Sequence, residues 1–250
     1  MYNQEKINQI KQDYFKIYSK HQKLILLSFF ISENLKNNDA KEYILHGVAR
    51  RIKTIYKCIE NIFNLLPIDE CSLYKEDKIA DATINLHAFY INIAGLLDNF
   101  ALVIWLEKKP LEGVENNKNV GFDKKCFRKS LSNKFQEYLE KNSLWLEYIK
   151  NYRDALAHRI PLYIPPLIDE KTGKEIQSIS IKHSIFKKEE IKDDENNLFI
   201  FHTQLIEDFN KIEEFFYKFR NDFSFGKNFM EEWQKKESFA QNIPHPKYFP

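Results

Sequence analysis

Glycine is scarce in this chain, with six residues among 250, and proline adds only eight. Few positions force a turn, which argues against a many-stranded β fold and for long helices. Cysteine is scarcer still. Cys58, Cys71 and Cys126 are odd in number and far apart, so they form neither a disulfide framework nor a close pair for zinc. No sign of charge prevails: 38 basic against 36 acidic residues leave +2, and a nucleic-acid site would have to be a local patch. The N-terminus, Met1–Asp13, is polar and charged, unlike a secretory leader. The longest apolar run, Ile84–Leu106, is interrupted by Asn85, His87, Asn92, Asp98 and Asn99. It reads as a buried helix and not a membrane span. These features imply a protein of the reducing cytoplasm, with no membrane partner.

Several chemistries lack their residues. Gly173-Lys174 is followed by Glu175, and Gly226-Lys227 by Asn228, so no phosphate-binding P-loop is present. There is no dinucleotide fingerprint and no serine nucleophile elbow. The seven histidines are His21, His46, His87, His158, His183, His202 and His245. None has a second histidine three or four residues away, and none follows a glutamate by three, which removes the zinc-protease and di-iron bundle signatures. The expectation is a site with neither metal nor cofactor.

What the chain does have is enough apolar surface for a core, 43% hydrophobic and 15% aromatic. Helical spacing recurs along it. It runs over residues 4–36, again from about Ala40 to Leu66 where Pro67 stops it, and from about Asp77 to Lys109 before Pro110. After a loop over 111–121, a short basic helix is expected over Lys124–Tyr138, then another over Ser143–Arg159, ended by Pro161. Residues 162–201 change character. Ile176–Ile185 alternates around Ile179 and Ile181, and Leu198–Phe201 is a second strand candidate, so this stretch reads as a β-like insertion. Helix resumes over about Thr203–Asp222, a short helix follows near Gly226–Glu237, and 238–250 is an extended tail. The expected architecture is all-α: one up-and-down helical bundle with a small β-like insertion after the fifth helix.

Chemistry concentrates in Leu144–Pro161. Placed on a helix, Trp145, Tyr148, Ile149, Tyr152, Ala155 and Leu156 make the core face. Lys150, Asn151, Asp154, Ala157 and His158 lie opposite, with Arg153 at their margin. Asp154 and His158 are four apart, so the carboxylate is placed to orient the imidazole. His158 also falls in the last turn, where unpaired carbonyls favour a cation by roughly 0.3–1 kcal/mol.

Arginine, a polar residue, then histidine after four intervening positions, late in a helix of an all-helical protein, resembles the motif of the HEPN family. Arg153-Asp154-Ala155-Leu156-Ala157-His158 carries that pattern. The resemblance rests on this one segment and could extend over most of 40–222. It implies a helical bundle that dimerises and cuts RNA without metal, as toxins and antiviral effectors of that family do. Arg153 and His158 would then be catalytic and Asp154 supporting. Lys150, Asn151 and Arg159 would rim an RNA cleft shared by two copies. An antitoxin or regulatory protein is a further partner the family implies, although Ile160 stands where a subset of its toxins carries a modifiable tyrosine.

Other readings stay open. Family members that have lost catalysis bind RNA, nucleotide or protein. Asp98 and Asn99 either position Arg153 from the neighbouring helix or make a buried structural hydrogen bond. Arg50-Arg51 either extends a phosphate track or is a plain surface pair.

Overall fold

The computed structural model describes residues 3–70, 72–109, 111, 113–165, 167–168, 173–176, 180–181, 199–222 and 231–235. These form an all-α bundle. Helix α1 spans Gln4–Asn34, and Asn3 caps it by accepting from the Lys6 N–H at 2.8 Å. Asn37 caps α2, Asn38–Glu42, in the same way. The chain then passes through a π-helical stretch, Tyr43–Ala49, directly into α3, Arg50–Leu65. Pro67 follows where that helix stops.

The reason for the π stretch lies in the spacing of buried side chains. Ala40, Ile44, Val48 and Ile52 are all buried and recur every four residues. A step of four overshoots the 3.6-residue α turn, so an ordinary helix would swing this row out of the core. Wider π turns keep it facing inward.

Helix α4, Glu76–Lys108, is the longest, with Glu76 and Asp77 favourably placed in its first turn. By length and composition it could cross a membrane, with a mean hydropathy of 1.6 over its best window, but 61% of that window is buried inside the protein. It packs on α2, the π stretch, α3 and the later helix α7. Its last turn also clamps the α1–α2 connection, where the Glu107 carboxylate accepts from the N–H groups of Lys36 and Asn37 at 2.8 and 2.9 Å.

Two short helices, α5 (Lys125–Lys129) and α6 (Asn133–Lys141), stand where the sequence suggested one. Ser132 explains the break: it caps α6 by accepting from the Phe135 N–H at 3.3 Å. Helix α7 runs Ser143–His158 and α8 runs Phe201–Asp222. Helix α8 packs on α1, α3 and α6. An aromatic cluster joins these pieces, with Phe100 against Phe215, Phe216 and Phe219, and Phe122 against Phe127, Phe135 and Phe215.

Between α7 and α8 lie two antiparallel pairs. Leu167–Ile168 (β1) pairs with Glu175–Ile176 (β2), and Ser180–Ile181 (β3) with Phe199–Ile200 (β4). Gly173 takes a left-handed φ of 65° in the first connection, which its missing Cβ permits. Ile176 and Ile181 thus sit in separate pairings, not in one strand. Phe201 opens α8, which starts two residues before the expected Thr203. Residues 166, 169–172, 177–179 and 182–198 of the 162–201 insertion, Ile179 among them, and the tail 238–250 lie outside the described residues. Of the expected helix near Gly226–Glu237, residues 231–235 are described and helical, with Trp233 buried against Phe30.

Candidate functional site

Helix α7 is fixed from within. Ile149, Tyr152 and Ala155 are buried. Trp145 Nε1 and Tyr148 OH donate to the Asp208 carboxyl of α8 at 3.0 and 3.1 Å, and Gln204 adds a third donor at 3.1 Å. The hydroxyls of Tyr148 and Tyr90 lie 2.7 Å apart, which extends the network to α4. Asp208 is 1% exposed. Burial pushes its carboxyl up to about 7, against the opposing pull of Trp145, Gln204 and the tyrosines. The sequence offered a signal for it: Asp208 falls on the apolar stripe of Leu205, Phe209 and Ile212.

The outward side holds the motif. Arg153 Nε and Nη2 both donate to Asp154 Oδ1, at 3.2 and 3.1 Å. Its Nη1 lies 3.7 Å from Asp98 Oδ2, so Asp98 faces Arg153 from α4, one of the two readings open for it. The Arg153 side chain is 38% exposed and that of Asp98 60%. Partial burial against α7 still lifts the Asp98 carboxyl above its ordinary value, opposed by Arg153 and then reinforced by Asp123.

Arg153 lines a cavity of about 420 Å3 between α4, α5 and α7. Lys150, Arg128, Lys125, Asp98, Asp123 and Glu147 supply charge there; Leu97, Phe122, Leu146 and Ile149 give it apolar walls. Burial acts to raise the Asp123 carboxyl, but Lys150 at 3.0 Å and Lys124 at 3.4 Å outweigh it and hold it below its ordinary value. Phe122, Asp123 and Arg128 escaped the sequence reading because they come from a loop and a short helix with no periodic tie to α7. Their only signal is the basic run Lys124-Lys125 to Arg128-Lys129.

His158 is the last residue of α7 and is exposed. It does not line this cavity, and among the described residues it has no hydrogen-bond partner. Asp154 therefore does not orient it as the spacing suggested. The carboxylate spends Oδ1 on Arg153, whose guanidinium is a nearer two-pronged donor. The predicted rim is divided. Lys150 lines the cavity, while Arg159 Nη2 turns back to the Asn151 carbonyl at 2.9 Å and Asn151 is half-buried. Asn99 does not reach Arg153. It is buried on another face of α4, where a Cβ on Gly47 would stand 2.4 Å from its amide nitrogen. Among the described residues no three His, Cys, Asp or Glu side chains gather as a metal site requires.

Compared with protein-family models, curated proteins and solved structures, the chain matches none.

Proposed function

We propose that this chain is a cytoplasmic, metal-independent endoribonuclease of the HEPN kind, with a site completed by a second copy. The observation that carries it is an exposed imidazole, without a hydrogen-bond partner among the described residues, at the end of the helix that also presents Arg153 between two carboxylates. Among the described residues of a single chain, His158 does not line the cavity that holds Arg153. Two-fold pairing about the end of α7 would bring two of each around one cleft. Exposed Ile160 and Tyr163, just past His158, offer apolar surface for that pairing.

RNA supplies its own nucleophile. One His158 takes the 2′-hydroxyl proton as the 2′-oxygen bonds to phosphorus. His158 of the second copy gives a proton to the departing 5′-oxygen as that bond breaks. Arg153 stabilises the charge on the phosphoryl oxygens. The products are a 2′,3′-cyclic phosphate and a 5′-hydroxyl.

Purified protein should cut single-stranded RNA in EDTA. His158→Ala should lower the rate about 10²–10⁴-fold while melting stays unchanged. Cleavage that EDTA abolishes would reject the metal-free route, and full activity in His158→Ala would reject the assignment. A second reading, an RNA- or nucleotide-binding module without catalysis, is favoured by one observation: the cavity that holds Arg153 excludes His158. Binding of RNA with no cut product would select it.

A further inference from the structure

Four cations and three carboxylates line the Arg153 cavity. On α7, Lys150 and Arg153 are three residues apart, so they are neighbours on one stripe, about 5–6 Å apart at Cβ. Each is met across the cavity by a carboxylate from another element. Asp98 of α4 faces Arg153 at 3.7 Å, and Asp123, from the loop before α5, holds Lys150 at 3.0 Å. The two carboxylates also repel one another, so Asp123 helps to raise Asp98.

The two acidic partners of Arg153 act differently. Asp154 accepts two hydrogen bonds, at 3.2 and 3.1 Å, and so aims the guanidinium. Asp98 accepts none from it, since 3.7 Å is beyond hydrogen-bond range. It adds opposing charge without fixing geometry. Nor does this pair hold the fold together. Partial burial raises the Asp98 carboxyl more than Arg153 lowers it, so its ionised form is less favoured in the fold than in the unfolded chain. A charge kept where it gives no structural return points to function. Lys125, on the same cavity, is exposed and among the described residues makes no ion pair.

We propose that Asp98 and Asp123 are built-in competitors that close Arg153 and Lys150 to single anions and yield to a strand of linked phosphates. A lone phosphate meets one cation and must displace one carboxylate, an exchange that gains little. A strand lands first on Lys125. Its next phosphates then reach Lys150 and Arg153 as tethered neighbours, at raised effective concentration. Each displacement turns a carboxylate out to water and relieves the repulsion between the two. Chain length, not base identity, decides what enters. The substrate class rests on the nuclease reading; entry does not depend on the cutting step.

Fluorescence anisotropy with a labelled single-stranded DNA tests entry alone, because DNA lacks the 2′-hydroxyl that the cutting step needs. Asp98→Asn and Asp123→Asn should each tighten the strand about two- to fivefold, the worth of an exposed ion pair. Together they should tighten it about tenfold. Exposed Asp81→Asn is the control: it removes the same charge from the same helix, about 25 Å away, and should leave binding unchanged. Calorimetric titration with inorganic phosphate should give heat with the double variant and none with the parent chain. With RNA as substrate, Asp98→Asn should lower KM and leave kcat within about twofold. A strand held no more tightly by the variants than by the parent, equal tightening by Asp81→Asn, or phosphate heat in the parent would overturn the proposal. So would a fall in kcat with KM unchanged in Asp98→Asn, which would make Asp98 a positioning residue. Tighter DNA binding in variants of a chain that cuts no RNA would sink the nuclease reading and leave the competitors standing.

Discussion

The two sides of α7 treat polar groups in opposite ways. Inside, Asp208 is sealed from water and collects three donors from Trp145, Tyr148 and Gln204. Outside, His158 is exposed, with no hydrogen-bond partner among the described residues, and Arg153 is shared between two carboxylates. A sealed, satisfied network fixes where a helix sits. Groups left open on the far side of that helix are free to meet something else. The contrast separates what holds the motif from what the motif does, and each half can be attacked alone.

The hardest blow falls inside. Asp208→Ala strands three half-buried donors, and urea unfolding should show a loss of about 3 kcal/mol. A loss below about 1 kcal/mol would mean that the network does not secure α7.

Acid should expose the next difference. Burial lowers His202 to about 3 and His21 to about 4, so both are neutral in the fold and gain protons more readily when unfolded. Their contribution is complete above about 6.5 and declines as pH falls toward 4 and 3. Asp208 acts in reverse. Its folded value, about 7, exceeds the ordinary 3.8, so its contribution falls as pH rises from about 4 through 7. Asp208→Asn removes that opposing slope. Urea midpoints from pH 7 to pH 4.5 should therefore drop more steeply in the variant than in the parent chain, and parallel curves would refute the assignment.

A milder probe is Tyr148→Phe, which removes one donor to Asp208 and keeps the ring. It should lower stability by about 1–2 kcal/mol, read from the same unfolding curves. Smallest of all on stability is His158→Ala, within about 0.5 kcal/mol as an exposed helix-end substitution. It is the same change expected to slow RNA cleavage about 10²–10⁴-fold. A large destabilisation there would erase the distinction between the two sides of the helix.

Much of this was legible in the residue pattern. Apolar spacing and proline stops located the long helices, and the inward set Trp145, Tyr148, Ile149, Tyr152 and Ala155 was readable at 100° per residue. The motif's outward placement was readable for the same reason. Pairing was not. Asp154 has two basic neighbours within reach, and spacing alone favoured His158, whereas the adjacent guanidinium takes it. Nor does periodicity say which helix lies opposite, so the Asp208 acceptor and the Phe122 and Arg128 walls waited for the packed chain. The π stretch was hidden inside a pattern that passes for an ordinary helix, since rows of four and rows of three look alike over a few residues.

That stretch has a consequence for chain length. Ala40 and Ile52 are twelve positions apart, yet eleven would complete about three ordinary α turns. Tyr43–Ala49 therefore behaves as one surplus residue wound into the helix. Deleting a single residue there should leave both flanking segments in register and the bundle intact, while flattening the bulge beside Asn99. Loss of one residue at this point would thus remodel the surface beside Asn99 without altering the fold.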